Sequence, residues 1–495
     1  MCGIVGVFGS PRASRETYQG LLLLQHRGQD AAGILSLDET EHFHLLKNSG
    51  LVDRVFDEKS LMDLKGHHAI GHTRYSTVGY SDGRDLQPMT INYPFGIGMI
   101  HNGNVVNVTE LQNELVSKRR HLFTKNDLEI ILNIFADSLD TNFPYHLSQE
   151  RSAKKEFEAI TQAVQDVFAK VKGGYSVVGS IAPMGMFAFR DPSGIRPLIL
   201  GERTLTEKEK QESKIPFEKS YCVASESNVL TYLGYEVVRD LKAGEIFFVD
   251  QKGESHSLEL KKNKVAPCMF EWVYFANPEA VLEKKDVYAA RLNMGRNLAY
   301  EVKKMIDSGE ISPDIVVPVP DTSRPSAIAL AEELGISYRE ILVKNRYIQR
   351  SFILNSPEER SKAVNLKLTP VASEFKGKKV LLVDDSIVRG TTSRHLIRMV
   401  REAGASAVYL ASSCPPIRHP CYYGIDFPSP SELIATGRTT TEIAETLGAD
   451  KVIYLTLEKL KESIGLKDMC MACLNGDYPV DVTSAVHLNS QRRVK

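Results

Sequence analysis

Residues 380–393 read VLLVDDSIVRGTTS, and this stretch decides the fold of the second half of the chain. A continuous apolar run rich in valine and leucine, the pattern of a strand covered on both faces, ends in two acids, Asp384 and Asp385. A short turn, Arg389-Gly390-Thr391-Thr392-Ser393, then opens a helix. In an open α/β sheet, ligands bind beyond the carboxyl ends of the strands. Free backbone N–H groups at a helix start hold a phosphate, and the Thr391, Thr392 and Ser393 hydroxyls add donors. Gly390 lets the backbone approach closely. The paired carboxylates would accept hydrogen bonds from vicinal hydroxyls or sit near a magnesium ion. An acidic pair alone reads as a solvated strand end followed by an N-cap. The whole fourteen-residue string favours a ligand site.

The segments around it repeat the pattern. IVVPVP (315–320), AVYLASS (407–413) and KVIYLTL (451–457) are further apolar runs, separated by SAIALAEELG, TSRHLIRMVREAG and TEIAETLGA. Buried parallel strands alternating with helices predict a doubly wound α/β domain. Two loops could serve the same site: PVPDTS (318–323), which carries Thr322, and KNRYIQRSFI (344–353), whose Lys344, Arg346 and Arg350 offer cations to an anionic group. Taken alone, the second is equally a basic surface loop.

The first half differs in style. Residues 1–110 alternate short apolar runs with Gly-rich turns, as in CGIVGVFG, AAGILSL and FGIGMIHNGNVVN. Residues 125–172 show helical spacing, and strand-like runs return at 175–203 and 220–250. These alternating blocks predict α+β layering. Residues 204–219 read as a solvated loop. The polar, Lys-rich stretch 251–266 marks a boundary, dividing the chain into 2–260 and 261–495.

Composition bounds the class. The chain has 495 residues, 61 Lys+Arg against 62 Asp+Glu, and a formal net charge of -1. That balance argues against a general nucleic-acid binder, and 42% hydrophobic residues argue against disorder. Seven cysteines are too few for a disulfide scaffold. The N-terminus lacks the basic and long apolar regions of a secretory signal, and no apolar run is long enough for a membrane helix, so the expectation is a cytoplasmic protein.

Cys2 becomes the first residue if Met1 is removed, and its α-amine can then take the thiol proton. The thiolate is the nucleophile. Met-Cys alone reads rather as a buried small apolar cysteine near a terminus. Cys268, Cys421 and the pair Cys470-Met-Ala-Cys473 form a second group, which spacing alone allows to be a zinc site, a redox pair or an iron–sulfur site. Cys222 and Cys414 read as core residues.

Two resemblances add to this reading. CGIVGVFG, QHRGQDAAGI (25–34), GHTRYSTVG (71–79) and HNGNVVN (101–107) together resemble class II glutamine amidotransferases, within the N-terminal-nucleophile hydrolase superfamily. The resemblance implies an αββα sandwich in which Cys2 attacks the glutamine amide. Asn102 and Gly103 match the oxyanion hole, Arg74 the clamp on the α-carboxylate, and Asp127 the acceptor for the α-ammonium. Leu128 stands where that family usually has Ser or Thr.

The 380–393 string resembles the phosphoribosyl-pyrophosphate (PRPP) fingerprint of type I phosphoribosyltransferases. There PVPDTS would hold pyrophosphate, Thr322 would be a magnesium-associated hydroxyl, and 344–353 would close over PRPP. The two domains in this order resemble the glutamine PRPP amidotransferase family. RDPSGIRPL (190–198) and ASESNVLTYLG (224–234) fit as well.

The contexts PCMFEWVYF, HPCYYGID and MCMACLNGDYP resemble the subgroup carrying a structural 4Fe-4S cluster on Cys268, Cys421, Cys470 and Cys473. Membership implies Mg2+, a homotetramer, and feedback inhibition by purine nucleotides such as AMP and GMP. Asn277, Gln349 and Asn365 depart from the family pattern. A PRPP-binding regulator or another class II amidotransferase remains the alternative, although no basic helix-turn-helix and no second-domain motif for those enzymes is evident.

Overall fold

The computed structural model describes residues 2–75, 83–143, 152–213, 217–345, 368–427 and 429–485. The first half contains two stacked antiparallel sheets. One has seven strands, with Gly3–Phe8 between Lys219–Ala224 and His68–Arg74; Ala31–Leu37 and Phe43–Ser49 continue beyond His68–Arg74. The other has six, with Ile97–Val105 paired to Gly173–Ile181. Their inner faces share a core that includes Ile4, Phe8, Leu35, Ile70, Ile100, Val178 and Met186.

Helix Ala13–Leu23 covers the seven-stranded sheet, and the antiparallel pair Leu128–Asn142 and Ala153–Lys170 covers the six-stranded one. This is the αββα sandwich. Its inner strands, such as Gly3–Phe8, Ala31–Leu37 and Gly173–Ile181, run unbroken in burial, as a sheet covered on both sides requires.

The second half holds a parallel five-stranded sheet ordered Ser337–Tyr338, Ile315–Pro318, Lys379–Asp384, Ala407–Ser412, Lys451–Tyr454. Helices Val287–Asp307 and Arg324–Leu334 pack on one face, Thr391–Glu402 and Thr440–Leu447 on the other. The caps are ordinary: Asp286 accepts from the Ala289 N–H, and Thr439 with Glu442 forms a capping box ending at left-handed Gly448. In Thr391–Glu402, Leu396, Ile397, Met399 and Val400 face the core while Arg394, Arg398 and Arg401 lie outward.

Three details differ from the sequence reading. Residues 204–219 are not all loop, because Glu207–Ser213 is helical. Thr206 Oγ1 accepts from the Glu209 N–H while the Glu209 carboxylate accepts from the Thr206 N–H. Ser255–Glu259, inside the stretch read as a boundary, pairs with Glu245–Asp250 as the edge strand of the six-stranded sheet. The 21-residue helix Val287–Asp307 had not been singled out. Among the described residues no helix is long and apolar enough to cross a membrane.

Candidate active sites and cysteine centre

The first centre gathers at neighbouring strand ends. The Cys2 N–H donates to Asn102 Oδ1 at 3.1 Å, and the Gly3 N–H donates to Thr73 Oγ1 at 3.2 Å. Asn102 is fully buried, and its Nδ2 has no hydrogen-bond partner among the described residues. With its oxygen held by Cys2, the amide nitrogen is left as a donor beside the cysteine. An orphaned buried donor is costly and calls for an acceptor that arrives with a ligand. Gly103 lies opposite Tyr175 on the adjacent strand, and a Cβ there would stand 2.1 Å from Gly174 O.

Arg74 closes the His68–Arg74 strand one residue beyond the Gly3–Thr73 pair. Its Nη1 donates to Asp85 O at 3.2 Å, and Asn126 Nδ2 donates to the same carbonyl at 2.7 Å. Asp85 thus ties Arg74 to the segment entering helix Leu128–Asn142. Asp127 is the N-cap residue of that helix. Its carboxylate already has partners: Oδ2 accepts from the Val105 N–H at 2.8 Å, and Oδ1 lies 3.3 Å from His101 Nε2. Burial would raise this carboxyl, but His101 and the Val105 N–H outweigh it and hold it below the usual range.

His72, His101 and Gln87 were missed by the sequence reading, although both histidines lie inside the quoted motifs. Gln87 Oε1 accepts from the His101 N–H at 2.7 Å, and its Nε2 meets His101 Nδ1 at 2.8 Å. His72 is buried, and burial followed by the charges of His101 and Arg74 pushes its pKa well down, so it is neutral.

The second centre sits at the carboxyl end of the parallel sheet. Asp384 ends the central strand, opposite Ser412, and is buried; Asp385 is half-buried. Burial pushes both carboxyls up, and the charge of Asp385 raises Asp384 further; the Ser386 hydroxyl and Arg291 pull Asp385 the other way. Two acids that resist ionising side by side suit a divalent cation or paired hydroxyl donors, either of which relieves the repulsion.

Gly390 is the N-cap of Thr391–Glu402, in the left-handed conformation at φ +72°. Thr391 and Thr392 are exposed at the helix start and Ser393 is buried. Arg389 is exposed, with its guanidinium 3.3 Å from Glu432 and 3.9 Å from Asp426. Thr322 is half-buried in the turn that follows the Ile315–Pro318 strand. Asp321, Arg324, Lys344 and Asn345 help line a cavity of about 550 Å³ beside that turn. Lys344 donates to Asp321, which also pairs with Arg324 at 2.7 Å. Arg346 and the rest of the 346–367 segment lie outside the described residues.

The third centre unites the four cysteines from distant parts of the chain. Cys268 and Cys470 pair as a parallel bridge, with the Met269 N–H donating to Cys470 O and the Cys470 N–H to Pro267 O. Cys473 O accepts from the N–H groups of Arg418 and His419, and Cys421 Sγ accepts from the Tyr423 N–H at 3.4 Å. Burial pushes the Cys268 thiol up to about 12, against the pull of the fully buried Arg196. Among the described residues, no three of the sulfurs fall within 4.8 Å of one another. A single zinc ion, with Zn–S bonds of about 2.3 Å, would draw them closer than that. The grouping that meets that spacing is Asp250, Glu254 and His256, in a hairpin of the six-stranded sheet. Cys222 and Cys414 are fully buried, as read.

Comparison with known proteins agrees with this geometry. The glutamine amidotransferase domain family matches residues 72–209, and the phosphoribosyl transferase domain family matches residues 287–425. Amidophosphoribosyltransferase of Escherichia coli K12 is 44% identical over 466 residues, covering 94% of this chain and 88% of that protein. The enzyme of the same name from Methanocaldococcus jannaschii is 40% identical over 502 residues, covering 97% and 98%. The solved structure of glutamine PRPP amidotransferase from B. subtilis, complexed with ADP and GMP, superposes with a TM-score of 0.82 at 35% identity, covering 97% of this chain and 98% of that one. The chain belongs to the amidophosphoribosyltransferase family, the glutamine-dependent enzymes of the first step of purine biosynthesis.

Proposed function

We propose that residues 2–260 hydrolyse glutamine, that residues 261–495 use the ammonia to displace pyrophosphate from C1 of PRPP, and that 5-phosphoribosylamine is the product. The observation that carries the first step is Asn102, whose oxygen is held by the Cys2 nitrogen while its buried Nδ2 lacks a partner among the described residues. Removal of Met1 turns that Cys2 nitrogen into the α-amine, which takes the thiol proton as sulfur attacks the side-chain amide. Asn102 Nδ2 and the Gly103 N–H then donate to the oxygen that becomes negative. The proton passes to the leaving ammonia. Water releases glutamate from the thioester. Arg74 fixes the substrate α-carboxylate through its planar fork. Asp127 takes the α-ammonium only if that ammonium joins or displaces His101 at its carboxylate.

In the second half, the turn at Arg389–Ser393 holds the 5′-phosphate on free N–H groups and hydroxyls. Asp384 and Asp385 accept from the ribose hydroxyls. These two acids, with Thr322, are the residues that would hold Mg2+, which when bound offsets the charge of the pyrophosphate leaving group. Lys344 and Arg346 add cations there.

The number of the cysteines and the burial of Cys268, Cys470 and Cys473, with Cys421 partly buried beside them, support a 4Fe-4S cluster. A cytoplasmic homotetramer inhibited by purine nucleotides completes the reading. The nucleotides carried by the B. subtilis relative support the inhibitor class.

Cys2→Ala tests the division of labour. Glutamine-dependent synthesis should vanish and ammonia-dependent synthesis persist; loss of both would refute two separable centres. A PRPP-binding regulator would show neither activity. Anaerobically purified protein should be coloured and contain iron and sulfide, whereas colourless, iron-free, fully active protein would refute the cluster.

A further inference from the structure

The Asn102–Gly103 end of its strand has a neighbour besides the paired strand Gly173–Ile181. On one side, the strand Gly173–Ile181 approaches so closely that a Cβ on Gly103 would meet Gly174 O at 2.1 Å. On the other lies a turn from the C-terminal half of the chain. A Cβ built on Gly424 would stand 3.0 Å from both Gly103 C and Gly103 O, on a backbone whose φ is +100°. The next residue of the strand, Asn104, donates from Nδ2 to Tyr422 O at 2.9 Å.

The turn is itself pinned. Fully buried Arg196 donates from Nε to Tyr423 O at 2.7 Å. The carbonyl of Arg196 accepts from Ser176 Oγ at 3.0 Å, and Ser176 sits opposite Asn102 in the sheet. Tyr423 is buried, with its hydroxyl donating to Val480 O at 2.6 Å, while its N–H reaches Cys421 Sγ. Gly103 is therefore closely approached by two backbones, one from each half of the chain.

We infer that the turn Cys421–Gly424 positions the oxyanion donor Gly103, and that Gly424 is a positioning residue for glutamine hydrolysis, required because only a residue without a side chain lets the turn seat on the Gly103 peptide. The inference rests on the reading of Gly103 as an oxyanion donor. A donor held by both flanks cannot drift from the place where charge develops, and its worth lies in that preorganisation. The four-cysteine centre also gains a consequence, because Cys421 begins the same turn. Whatever group those thiols bind sets the geometry of the turn at its first residue.

The test uses the full-length enzyme carrying Gly424→Ala. An oxyanion donor acts in the transition state, so kcat for glutamine should fall about tenfold or more while KM for glutamine stays within about twofold. Ammonia-dependent synthesis, which does not use this hole, should remain within about twofold of the parent enzyme. Gly437→Ala is the strain control: Gly437 also has positive φ, +68°, but nothing lies within 4 Å of its would-be Cβ, and its glutaminase activity should match the parent. Unchanged kcat in Gly424→Ala, or a parallel loss of the glutamine and ammonia activities, overturns the inference.

If Gly424→Ala does not fold, Asn104→Ala decides. It cuts the tie to Tyr422 without backbone strain and should lower kcat about threefold to tenfold at unchanged KM; unchanged kcat overturns the inference. Asn102→Ala separates the two levels, since retained glutaminase there refutes the oxyanion assignment itself rather than the role of the turn.

Discussion

A methyl group at position 390 would stand 2.4 Å from Ile434 Cδ1 and 2.9 Å from Leu447 Cδ2, on a backbone whose φ is +72°. Gly390→Ala should therefore cost roughly 1–3 kcal/mol from overpacking and strain. It should also raise KM for PRPP, because the same turn carries the proposed phosphate contacts. Urea unfolding and a PRPP titration check this, and a destabilised variant with unchanged PRPP affinity would remove the turn from the site. At this scale much was legible. Cys2, Asn102, Asp384 and Asp385 could be singled out as candidates because each stands in a short string of residue types suited to the proposed chemistry. The partners of Asp127 were not readable. Its carboxylate meets Val105 and His101, and His101 meets Gln87, across 14 to 26 positions of sequence. A motif says which residue types are present, while only the folded backbone says which atoms face one another.

Among the elements, the His68–Arg74 strand begins with a histidine that, among the described residues, has no acidic partner to keep it protonated. His68 is buried, its ring stacked on Phe8 at 4.0 Å, and burial followed by the charge of His67 pushes its pKa down to about 3. The unfolded chain takes a proton near pH 6.5, so this histidine costs nothing above that pH and removes stability as pH falls toward 3. Between about pH 6.5 and 4.5 one extra proton on the unfolded chain amounts to roughly 2 kcal/mol. His68→Leu should flatten the fall of the urea midpoint over that range, and parallel curves for the two proteins would refute the role.

Four of the five parallel strands and the helices Arg324–Leu334, Thr391–Glu402 and Thr440–Leu447 were readable as elements, because each of those four apolar runs is buried on both faces. The Glu207–Ser213 helix and the Ser255–Glu259 strand were not. Their residues are polar, and what orders them is a local cap in one case and a sheet edge in the other.

Taken as a whole, the two halves are joined by a buried ionic chain. Arg27 donates from Nε to Glu226 and from Nη2 to Glu271 at 2.7 Å, Glu226 also accepts from the Asn277 N–H at 3.0 Å, and Glu271 lies 3.7 Å from Arg196. Arg27, Glu226 and Arg196 are fully buried. Such a chain adds little net stability when intact, but removing one member strands a charge. Glu226→Ala should thus cost about 3–5 kcal/mol in thermal or urea unfolding. A loss below about 1 kcal/mol would show that water reaches Arg27 at this junction.

The amino-acid sequence by itself determined the two fold classes and their order, and it singled out the proposed nucleophile and acidic pair, because periodicity and short motifs are local and survive without knowledge of contacts. Tertiary structure decided how the halves meet. The 421–424 turn against Gly103, the Arg27–Glu226–Glu271 chain and the convergence of cysteines from 268 to 473 each bring together residues far apart in sequence. No local pattern encodes such pairings, because they arise only when residues distant in sequence pack into one shared core.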